Sequence, residues 1–231
     1  MPNQRWYRVI YALCPFGDRG LFIISELPEK EGVTVLNNPM DIPVLFPQRK
    51  NKRQKAAFLD AACAYASGLG YPCQRGEDWL RIGPADGAVL LEARFDTSWF
   101  CRDTAAVITV LEILRTLPAL HRGSVQVLLW AKHKPEITAN LCITLTKLEE
   151  SRKICLIPSR GLMADPKLAG LLKRCTGWFG RSQLCLEKST NASEKTLTIC
   201  THRSGWKRPE IPVETHVNIL RACISTLISA Q

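Results

Sequence analysis

Residues 88–117 read AVLLEARFDTSWFCRDTAAVITVLEILRTL, and two hydrophobic periods meet in them. Residues 88–95 form a nearly unbroken apolar run of strand length, the pattern of a strand covered on both faces. The run ends in Arg-x-Asp, at Arg94 and Asp96. Asp103 then leads a segment in which Ala106, Val107, Val110, Leu111 and Leu114 recur at helical spacing, which predicts a helix over residues 103–117. A carboxylate in a first helical turn favours the helix dipole. A strand end followed by a helix start is also where α/β sheets assemble their sites.

Working outward, the same alternation continues. A helix is expected over residues 4–13, from Trp6, Val9, Ile10 and Leu13, and another over residues 52–69, stopped by Gly70. The three prolines of LNNPMDIPVLFP make that part of residues 1–51 extended, after a strand in LFIISELP. Strands are expected at residues 71–75, 78–82, 125–131, 153–157, 183–187 and 196–201. Helices are expected at 137–149, 166–175 and 213–229. Helices alternating with short apolar strands predict an α/β sandwich around a mixed sheet, in one domain covering residues 1–231.

Composition narrows the function classes. No apolar run reaches the ~20 residues that span a bilayer, and the N-terminus lacks the pattern of a signal peptide, so a cytoplasmic protein without a membrane partner is expected. The 10 cysteines form no C-x-x-C pair, and most lie in apolar runs, where a thiol acts as a small hydrophobe. The formal charge of +10 includes a basic run from Arg49 to Lys55, RKNKRQK. No aromatic platform or nucleic-acid motif accompanies that run, so a solvated surface is the simpler reading and nucleic acid is not the expected partner.

The order helix, Leu69-Gly70-Tyr71, strand, VLLEARFDT, Asp-led helix and VQVLLWA resembles the co-catalytic zinc aminopeptidases, a family that also includes glutaminyl cyclase-like and nicastrin-like domains. Thr201-His202 followed by a last helix is similar to that family's closing segment. The resemblance implies a three-layer α/β/α sandwich around a mixed, mostly parallel sheet. It also implies a two-zinc site in which a carboxylate acts as general base. Carried over residue by residue, Arg94 stands at the first histidine ligand, Asp96 at the residue that orients it, and Asp103 at the bridging carboxylate. The general base and the ligand after it fall on His133 and Lys134, the next ligand on Pro158, and the last histidine on His202.

Two of five ligands are therefore kept, Asp103 and His202, and the base is replaced. Zinc sites need three or four donors at close range, and an arginine stays charged in proteins. The expectation is a non-catalytic zinc-aminopeptidase-like protein, a pseudopeptidase, with no catalytic residue and no cofactor. Arg94, Asp96, Asp103, His133, Lys134 and His202 would line the pocket remnant, with Arg94 and Lys134 pairing with Asp103 and Asp96. Arg94 is suited to an anionic small molecule or a peptide carboxylate. One alternative is a single-zinc aminopeptidase or amidohydrolase that uses Asp103, His202 and His133. A further one is an anionic-surface or nucleic-acid binder acting through Arg49 to Lys55.

Overall fold

The computed structural model describes residues 8–13, 19–24, 52–95, 102–117, 119–146, 148, 153–201 and 213–228, with some helical side chains excepted. It begins with two antiparallel strands, β1 (Arg8–Leu13) and β2 (Arg19–Ile24), in register Val9 to Ile23 and Tyr11 to Leu21. The helix expected over residues 4–13 is thus corrected to a strand at residues 8–13, with residues 4–7 outside the described residues. Val9, Ile10 and Tyr11 favour extended backbone, and the apolar strand Arg19–Ile24 supplies the pairing partner.

The first helix, α1 (Lys52–Gly68), ends as the sequence predicts. Gly70 takes φ +85°, the Tyr71 N–H reaches back to the Ala66 carbonyl and the Gly70 N–H to that of Ser67. A left-handed glycine closing two such bonds is a Schellman stop. The chain continues through β3 (Cys73–Arg75), β4 (Trp79–Ile82), β5 (Val89–Arg94), α2 (Arg102–Thr116), the single turn α3 (Ala119–Arg122) and β6 (Val125–Trp130). It then forms β7 (Leu141–Leu145), β8 (Ile154–Pro158), the short α4 (Arg160–Met163), α5 (Pro166–Gln183), β9 (Leu184–Leu186), β10 (Thr196–Thr201) and α6 (Val213–Ile228).

Eight strands form one mixed sheet in the order β3-β4-β6-β5-β7-β10-β8-β9. Its centre, β6-β5-β7-β10, is parallel, while β4 and β8 flank that centre antiparallel. The architecture is therefore α/β around a mixed sheet, as expected from the sequence. Register assigns the faces, because side chains alternate along a strand. Val89, Leu91 and Ala93 align with Val125, Val127 and Leu129 on one side and with Leu141, Ile143 and Leu145 on the other. These residues share one core with Leu59 and Ala62 of α1, Val107, Val110 and Leu114 of α2, Leu168 and Leu172 of α5, and Leu220 and Ile224 of α6. Among the described residues, these helices build one layer of the sandwich. The opposite face carries Leu90, Glu92 and Arg94 beside Gln126, Leu128, Trp130, Cys142 and Thr144.

Two further elements differ from expectation. The helix expected over residues 137–149 is the strand β7, preceded by an extended connection, residues 131–140. Leu141, Leu145 and Leu148 fit a helical stripe, but Leu141, Ile143 and Leu145 also alternate with Cys142 and Thr144, and all three are buried. Parallel pairing to both β5 and β10 decides for the strand. The helix α5 runs to Gln183 rather than stopping near Cys175. Gly177 and Gly180 weaken the local helical signal, and packing of α5 on β9 and α6 overrides them.

Candidate functional site

The parallel strands β6, β5, β7 and β10 place their C-terminal ends along one edge of the sheet, the place where open α/β sheets build sites. Arg94 is the last residue of β5 and aligns with Trp130, the last of β6. It is exposed, yet held at two points. Its Nε–H donates to the Ala131 carbonyl at 3.0 Å, and its guanidinium carbon lies 5.2 Å from the centre of the Trp130 ring. A cation over an indole face in this range is attracted by about 0.5–1 kcal/mol at an exposed position.

The connection after β6 is fastened across this region. The Ala131 N–H donates to the Asp78 carbonyl, and the His133 N–H to Asp78 Oδ2, both at 2.9 Å. Further along, Gln126 Nε2, fully buried, donates to the carbonyls of Gly87 at 2.8 Å and Thr138 at 3.0 Å. Between these anchors, Lys134 Nζ meets Glu92 Oε2 at 2.5 Å. Glu92 is 4% exposed, and its other oxygen accepts from Thr144 Oγ1 at 2.6 Å. A buried carboxylate needs such partners, because desolvation without them is prohibitive.

Among the described residues the lysine's partner is Glu92, while the expected pairing with Asp103 and Asp96 falls on side chains outside them. Glu92 was missed, although a charge inside the apolar run VLLEAR is a signal that the strand must bring it a partner. The neighbouring Cys142 thiol is pushed up to about 11, first by burial and then by the charge of Glu92.

Arg94, His133 and Lys134 therefore gather at one edge, with the His133 side chain exposed. Asp96 and His202 lie outside the described residues. Asp103 is the second residue of α2, with its side chain outside them. Pro158 does not belong to this edge. It ends β8, which is antiparallel to β10, and it pairs with Leu197 near the start of that strand. The strand end that does reach the edge is that of β7, where Leu145 is followed by Thr146, a residue whose N–H donates to the Ile199 carbonyl. A helix over residues 137–149 would place no strand end here.

No family model matches the sequence, and no curated protein matches it. Solved structures match in fold. A Zn-dependent exopeptidase from Parabacteroides distasonis ATCC 8503 is 11% identical, with a TM-score of 0.58 over 80% of this chain and 93% of that chain. A leucine aminopeptidase precursor from Bacteroides thetaiotaomicron VPI-5482 is 13% identical, with a TM-score of 0.56 over 80% and 92%. The glutaminyl cyclase of Porphyromonas gingivalis is 12% identical, with a TM-score of 0.53 over 81% and 91%. At these identities the likeness is one of architecture: the chain has the α/β fold shared by zinc exopeptidases and glutaminyl cyclases.

Proposed function

We propose that this chain, folded as one domain, is a non-catalytic counterpart of the zinc aminopeptidases, a pseudopeptidase whose sheet edge binds rather than hydrolyses. One observation carries the reading: the edge formed by the ends of β5, β6 and β7 presents Arg94, Lys134 and Thr146. Two are fixed cations, one bound to the Ala131 carbonyl and the other to Glu92. Neither is a zinc donor, and a threonine hydroxyl is not among the usual zinc donors. Asp103, His202 and His133 supply at most three donors, enough for one open zinc site and short of the five ligands of a two-zinc centre. The residues present do not fit a two-zinc centre. The exposed guanidinium of Arg94, steadied on Trp130, suits an anionic group such as a carboxylate.

The test is elemental analysis after incubation with zinc and desalting, on the parent chain and on Asp103→Ala and His202→Ala. The expected result is that both substitutions leave the zinc content unchanged. Zinc that disappears with each substitution would instead make this a single-metal hydrolase site.

A further inference from the structure

Far from Arg94, the strands β10, β8 and β9 bring three cysteines into one row. Cys200 aligns with Cys155, and Cys155 aligns with Cys185. All three occupy the face opposite the helices, because their neighbours Ile199, Leu156 and Leu184 belong to the core. Glu187, one residue beyond β9, turns its carboxylate to the same place. The Sγ atoms of Cys155 and Cys185 are 3.2 Å apart, and Glu187 Oε1 lies 3.7 Å from the first and 3.6 Å from the second.

We propose that Cys155, Cys185 and Glu187 form a binding site for a thiophilic divalent cation of the zinc class. The three donor atoms lie within 4.8 Å of one another. Zinc–sulfur bonds of ~2.3 Å and zinc–oxygen bonds of ~2.1 Å set tetrahedral edges of ~3.6 Å between sulfur and oxygen and ~3.8 Å between sulfurs. The two sulfur–oxygen separations already match, and the sulfur pair has to open by roughly half an ångström to reach that edge. Two thiolates with one carboxylate select a borderline-soft metal over magnesium or calcium. Burial is graded as an entry path requires: Cys155 is buried, Cys185 half-buried and Glu187 exposed. Solvent supplies the fourth position on the Glu187 side. Since β9 ends the sheet, the ion would cross-link its last two strands.

In the metal-free chain the Cys185 thiol donates to the Ile154 carbonyl, and a metal takes cysteine as the thiolate. Binding therefore exchanges two protons for one dication.

The experiment is titration of the reduced full chain with cobalt(II), read by its thiolate-to-cobalt charge-transfer absorption. The expected result is saturation at one cobalt per chain, displacement by zinc, and loss of the band in Cys185→Ser. Glu187→Gln, at an exposed position, keeps the band but weakens affinity by roughly an order of magnitude or more. Circular dichroism of each variant separates a lost site from a lost fold. The proposal is overturned by absence of the band at saturating cobalt, or by a band that survives Cys185→Ser. A Cys155–Cys185 disulfide in chain isolated without reductant, with no metal taken up after reduction, overturns it as well.

Discussion

At the scale of single residues, the Glu92–Lys134 contact dominates the edge of the sheet. Glu92 is sealed from water while the side chain of Lys134 is 41% exposed, so the lysine acts as a lid on a buried charge. Lys134→Ala leaves the carboxylate with neutral hydrogen-bond partners such as Thr144 Oγ1. Because the lysine side chain is partly exposed, the loss is smaller than for a fully buried pair, about 1–3 kcal/mol. Urea unfolding of Lys134→Ala is expected to show that drop, and Glu92→Gln in the same chain is expected to restore most of it. An unchanged midpoint in the single variant would show that the pair is not sustained in solution.

Among the elements, the turn after β4 is the most sharply specified. Gly83 has φ +96°, and a Cβ there would run into the Val125 carbonyl. It also donates to the Pro72 carbonyl at 2.8 Å, so the backbone cannot simply swing away. Gly83→Ala combines left-handed strain with that clash, and a loss of about 1–3 kcal/mol is expected in thermal or urea unfolding. Stability equal to the parent would mean that the β4–β6 junction is looser than this close approach implies. The elements also show what local pattern carries. In β5 and α2 one period is unambiguous, and both lie within a residue of expectation. In β7 the leucines satisfy both periods at once, so pairing with strands distant in sequence had to choose.

For the molecule as a whole, the α/β fold was legible because the decisive strand and helix are adjacent in sequence and their apolar residues leave one solution. The site was legible only in part. The resemblance names Arg94, His133 and Lys134, and in the structure Arg94 ends β5 while His133 and Lys134 follow the end of β6 beside it. The partner of Lys134 could not be read this way, since it depends on the register between β5 and the connection after β6. The cysteine row had no local signal at all: its members stand 30 and 45 residues from Cys155, at Cys185 and Cys200, and only strand order aligns them. The function proposed for the edge holding Arg94 is binding rather than hydrolysis. It is tested most directly by assaying aminoacyl amides and N-terminal glutaminyl peptides with zinc present and with a chelator present. The account predicts no turnover above the blank in either condition. Turnover that zinc supports, the chelator removes and Asp103→Ala abolishes would contradict it.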